Sequence, residues 1–200
     1  MAPGDARAWV SFGTELFLSH ANELSGPSAL PGWTRKHLAA HVAANADALG
    51  NLVHWARTGE RTPMYASPEQ RNADIEAGSQ LSEAQLTSWL RDSSRSLDSA
   101  MATLTPEQWR AQVVTAQGRT VPATEIPWMR AREVCVHAVD LGTGLTFADL
   151  PEAFLSALVA EIQAKRGLDT LPDGPLPDVA AYLAGRPHSL TGVPDLGPWL

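Results

Sequence analysis

Apolar side chains recur in steps of three and four through most of this chain, and the places where that rhythm fails mark its elements. Ala6, Trp9, Val10, Leu16, Phe17 and Leu24, with Gly13 and His20 in register, form one stripe on a first helix. SGPSALPG, residues 25–32, ends it, because proline and glycine do not sustain a helix. Thr34 is a predicted N-cap for a second, Ala-rich and proline-free helix from Arg35 to about Arg57. Residues 59–80 mix Gly, Pro, Ser and charge, and predict a long loop with some helix. Ser82 and Gln85 form a capping box, after which Leu86, Leu90, Leu97, Met101 and Leu104 keep helical spacing on a third helix. A short turn at Thr105–Pro106 carries Trp109. In AQVVTAQGRTVPA, residues 111–123, β-branched residues flank Gln117 and Gly118, which predicts a two-strand ribbon. Pro127 opens a fourth helix that runs to Leu141 and stops at the GTG of residues 142–144. A fifth helix follows Pro151 to about Arg166, a last short one starts at Asp178, and the tail TGVPDLGPWL is irregular with an apolar anchor. The expectation is a mainly α fold: a four-helix bundle with a small β-ribbon over residues 1–150, then a short helical extension over 151–200.

Composition narrows the function. With 200 residues, 44% of them hydrophobic, the chain can bury one substantial core. A net charge of −7 and the lack of any Lys/Arg cluster argue against nucleic acid or an anionic membrane as partner. There is no apolar run of about 18 residues, and MAPGDARAW lacks the layout of a signal peptide, so a cytoplasmic protein is expected. The single cysteine, Cys135, has no internal disulfide partner and reads as a small buried side chain among apolar neighbours.

Chemistry concentrates on two helices. In REVCVHAVDL, residues 132–141, Glu133 and His137 share a stripe with Met129, Val136 and Asp140. A buried carboxylate there needs a cation, a donor or a metal; on a solvated face the two would merely pair. Cys135 lies two steps from each, roughly 200° around the helix, and so cannot share a metal with them. The second helix offers His37 and His41, also four apart. His37 sits in the first turn beside Arg35 and Lys36. His41 stands among Leu38, Ala40, Val42, Ala44 and Ala48, whose small side chains leave room for an ion or substrate, and is preferred. Two imidazoles and a carboxylate from two helices suit a borderline divalent ion such as zinc with one position left open. Asp140 is the nearest candidate to orient an imidazole.

LPGWTRKHLAAHVAANADAL and PWMRAREVCVHAVDLG together resemble the two signature segments of the mycothiol-dependent maleylpyruvate isomerase family, within the DinB-like metal-binding helical bundles. With GRTVPATEIP between them, the resemblance covers most of residues 1–150. It implies zinc held by His41, Glu133 and His137. Family members with the isomerase activity carry a second, mixed α/β domain, and the roughly 50 residues after Leu150 imply that this part is reduced. AAYLAGRPHSL and the closing GPWL resemble the family's end segment and imply that Arg186 contributes to activity, as a guanidinium suited to a carboxylate. The chain's one thiol is badly placed, so the resemblance implies an external low-molecular-weight thiol, mycothiol, that adds to a small-molecule substrate and leaves again. Two other readings stand beside the isomerase: a thiol S-transferase in which the thiol stays on an electrophile, and a non-catalytic bundle that binds metal or a partner.

Overall fold

The computed structural model describes residues 3–199, with side chains from Ala6 onward. The first two residues, part of the leader reading, and Leu200, part of the apolar anchor, lie outside the described residues. Two compact units result, Ala2–Gly142 and Thr143–Leu200. Among the described residues no helix is long and apolar enough to cross a membrane.

The larger unit is a bundle of α1 (Pro3–His20), α2 (Arg35–Thr58), α4 (Glu83–Ala102) and α6 (Ile126–Asp140), with α3 (Pro68–Ser79) and the one-turn α5 (Pro106–Trp109) on its side. α1 packs on α6, and α2 packs on α4, α3 and α6. The α1–α6 approach is close because Gly13 has no side chain: a Cβ there would lie 2.6 Å from both Cys135 Sγ and Val134 Cγ2. α1 ends at His20 rather than reaching Leu24, which is nevertheless fully buried in the turn that follows.

The segment read as a long loop with some helix contains the twelve-residue α3. Ser67 accepts from Gln70 N and Pro68 opens the first turn, so the helix starts on a good cap. Its buried face is only Ile75, Gly78 and Ser79, too little to register as periodicity. The ribbon pairs β1 (Gln112–Val114) with β2 (Thr120–Pro122) antiparallel, Val113 opposite Val121. Both valines join Leu49, Leu52 and Val53 of α2 and Leu97 and Met101 of α4 in one apolar core. Gly118 closes the turn at φ 76°, a left-handed conformation that favours glycine.

The smaller unit contains α7 (Glu152–Arg166) and α8 (Leu176–Leu183), and its described residues form no strand. Arg166 donates to Leu196 O at 2.6 Å and Gly197 O at 2.9 Å while its guanidinium lies against Trp199, which fastens the tail to α7.

Candidate metal centre

Local capping decides which histidine of α2 is free. Thr34 caps the helix, and His37, at the third helical position, takes the role usually played by Glu or Gln in a capping box, accepting from Thr34 N through Nδ1. Its Nε2 faces Glu76 Oε2 at 3.3 Å. One turn on, His41 is 6% exposed and points at α6.

α6 is held at both ends. Arg130, only 1% exposed, donates to Val42 O at 2.7 Å, Asn45 Oδ1 at 2.9 Å and Ser94 Oγ at 3.0 Å, tying α6 to α2 and α4. Burial lowers its pKa to about 10, opposed by the nearby charge of Glu133. At the other end Arg35 donates to Leu141 O and Gly142 O, and Ala29 N to Asp140 O, satisfying carbonyls that a helix terminus leaves without partners.

Between these braces three donors meet. Glu133 Oε2 lies 2.9 Å from His41 Nε2 and 3.2 Å from His137 Nε2, and one ligand atom from each residue falls within 4.8 Å of the others. A tetrahedral ion bound at 2.0–2.1 Å spaces its ligands about 3.3 Å apart, close to both separations of Glu133 from the imidazoles, so the cluster could hold a divalent metal. His137 Nδ1 contacts Asp140 Oδ2 at 2.8 Å, which fixes the ring and presents Nε2 to the cluster. Trp33 packs edge-on against His41 with ring centroids 5.5 Å apart, covering its outer side.

The electrostatics fit a cation. For Glu133, burial alone would raise the carboxyl pKa, but hydrogen bonds from His137 and His41 outweigh it and hold it well below the ordinary value. For His137, burial opposes protonation, yet Asp140 and Glu133 override it and raise the pKa to about 9. Desolvation wins at His41, whose pKa is lowered. Without metal the surroundings therefore favour an anionic Glu133 and a protonated His137, whose proton a divalent ion would displace.

Of the residues singled out in the sequence, the structure brings together His41, Glu133, His137 and Asp140. His37 is engaged elsewhere as a cap. Cys135 is buried on the far side of α6, its Sγ directed at Trp9 O at 3.7 Å. Arg186 is buried in the C-terminal unit, 6% exposed, where its Nη1 donates to Ala184 O at 2.7 Å. Sequence reasoning missed Arg71 on α3, whose Nη2 donates to His41 Nδ1 at 3.2 Å, and Tyr65, over whose ring the Arg71 guanidinium lies. The Ser67–Pro68 helix start was the available signal, because it places Arg71 one turn into a helix beside α2.

A helical bundle that brings a largely buried His–Glu–His cluster together from two facing helices is a scaffold whose side chains could hold a metal ion. The chain belongs to the mycothiol maleylpyruvate isomerase family: the family described as mycothiol maleylpyruvate isomerase N-terminal domain matches residues 7–142. It is also similar over its whole length to the crystal structure of the mycothiol-dependent maleylpyruvate isomerase, with 39% identity and a TM-score of 0.90 over 100% of this chain and 98% of that one. A histidine-to-alanine mutant of that isomerase matches over the same shares at 38% identity and TM-score 0.90. No curated protein matches the chain.

Proposed function

We propose that this protein is a cytoplasmic, zinc- and mycothiol-dependent maleylpyruvate isomerase, with His41, Glu133 and His137 as metal ligands. The observation that supports this most is the convergence of those three side chains, two of them buried and all with a ligand atom within 4.8 Å of the others, in a chain that matches the isomerase end to end. A bound zinc supplies Lewis acidity, lowering the pKa of a coordinated thiol so that thiolate forms near neutral pH. The chain's residues prepare that chemistry. Asp140 keeps the Nδ1 proton of His137 and leaves Nε2 free as a ligand, while Glu133 contributes the negative charge that suits a divalent cation. Trp33 and the apolar walls of α2 and α6 limit water around His41. On the substrate, the thiolate sulfur bonds to one carbon of the cis double bond and the π electrons move to the conjugated carbonyl oxygen as an enolate. Rotation about the resulting single bond and return of the electrons expel the thiolate and leave the trans isomer, with no net change in thiol. Arg186 is proposed, on the resemblance of its segment, as a guanidinium contributing to activity.

The test is direct. Zinc-loaded protein with mycothiol should convert maleylpyruvate to fumarylpyruvate, followed by ultraviolet absorbance, with free thiol constant throughout. Stoichiometric loss of thiol with no trans product would instead make the protein an S-transferase.

A further inference from the structure

A cavity of about 460 Å³ lies between the segment leading into α3 and the turn of the ribbon, and Arg71 forms part of its wall while touching metal-site His41. Arg61 lines the same cavity. Although the protein carries a net charge of −7, no aspartate or glutamate lines this space. Neither arginine has a carboxylate partner among the described residues: Arg71 contacts His41 Nδ1, Asn72 Oδ1 and the Tyr65 hydroxyl, with the Tyr65 ring beneath its plane. Two guanidinium groups in a wall that contains no carboxylate make the hollow locally positive, which favours an anionic guest. Thr115 and Gln117 of the ribbon turn add neutral hydrogen-bonding groups, and Trp55 adds an apolar wall.

The contact between Arg71 and His41 links this hollow to the metal ligands. An imidazole that ligates through Nε2 carries its proton on Nδ1, so Arg71, which has only N–H groups to offer, finds no acceptor there. Its Nη2–H is then available to a ligand in the cavity.

We propose that this cavity is a substrate subsite, in which Arg71, assisted by Arg61, binds the carboxylate at the 2-oxo acid end of maleylpyruvate, remote from the double bond. This rests on the isomerase reading above and adds to it the residues that position the substrate. The volume falls within the range of small-molecule sites, about 300–1,000 Å³. A diacid held at its 2-oxo acid end keeps its double bond within the reach of the connecting chain, where the thiol can meet it.

The experiment uses zinc-loaded protein and succinylpyruvate, the saturated analogue that cannot be isomerised, with affinity read by calorimetry and zinc content measured in every variant. Arg71→Met should weaken binding roughly 10- to 100-fold, the scale of a lost charge-assisted bidentate pair, with zinc content unchanged. Arg61→Gln, removing an exposed charge, should weaken it about threefold. Ala116→Glu, on the exposed ribbon turn that lines the cavity and away from His41, should weaken it about tenfold by placing an acid there. With maleylpyruvate, Arg71→Met should act mainly on KM. The proposal is overturned if wild-type protein does not bind succinylpyruvate, or if Arg71→Met and Ala116→Glu both bind it normally. It is equally overturned if Arg71→Met weakens binding only with loss of zinc while Ala116→Glu has no effect. Protein that binds the analogue through Arg71 yet isomerises nothing keeps the subsite and refutes the isomerase reading; normal isomerisation with unchanged KM in both variants does the reverse.

Discussion

Replacing Cys135 by serine asks whether the reacting sulfur is the protein's own. Cys135 stands two residues from both Glu133 and His137, roughly 200° around α6 from each, and its Sγ faces α1. Burial pushes its thiol pKa up to about 12. At pH 7.5 a thiol of pKa 12 is ionised to about 3 parts in 100,000 and an unperturbed one to about 9 parts in 100, roughly a 3,000-fold difference in nucleophile. Position and ionisation therefore both exclude Cys135 from the chemistry. Cys135→Ser should keep kcat within about twofold in metal-replete protein and keep its dependence on added mycothiol, since a residue outside the reaction leaves the transition state unchanged. Its cost should be in stability: a hydroxyl poorly satisfied near Trp9 O costs about 1–3 kcal/mol, and at about 2–4 °C per kcal/mol the Tm should fall by roughly 2–12 °C. Turnover is therefore measured well below the melting transition, and iodoacetamide should label native wild-type protein negligibly but unfolded protein fully. Loss of turnover in a folded, zinc-loaded Cys135→Ser protein, or full turnover with no thiol supplied, would refute the reasoning.

Further expectations follow from the centre's geometry and packing. His41→Ala should remove both zinc and activity, because two remaining ligands hold the ion poorly; metal analysis of the purified variant at wild-type occupancy would contradict this. His37→Ala should retain zinc and lose about 0.5–2 kcal/mol of stability with the disrupted cap, measured by urea unfolding. Asp140→Asn should weaken zinc binding about 10- to 100-fold in a competition titration with a chelator. Because the proton on His137 persists to about pH 9 without metal, zinc affinity should fall as pH falls, by about tenfold per unit for one displaced proton, and level off above about 9. Asp140→Asn, which removes a bond that raises that pKa, should move the break to lower pH. Gly13→Ala should lower the Tm, since overpacking against Cys135 and Val134 costs about 1–3 kcal/mol and exceeds a helix-propensity gain of at most about 1 kcal/mol; an unchanged Tm would mean that α1 and α6 separate without penalty.

What could be read from the sequence was what short stretches of chain decide for themselves. The caps at Thr34 and Ser82 are visible because a helix start is a local hydrogen-bonding problem, and the structure closes both as capping boxes. The ribbon around Gly118 is visible for the same reason, since β-branched residues and a glycine turn declare it. The spacing of Glu133 and His137 shows that they share a face, and the resemblance of two segments pairs that face with His41. Tertiary structure decided the rest. α3 carries too little buried apolar surface to announce itself, and is given shape by packing on α2. Spacing alone leaves His37 and His41 equivalent, and what separates them is that α6 lies against one while Glu76 of α3 takes the other. Arg71 reaches His41 across 30 positions of sequence and Glu133 reaches it across 92. No local periodicity encodes such meetings, because they exist only after burial of the bundle core has brought the helices together, with Arg130 and Arg35 holding α6 in place.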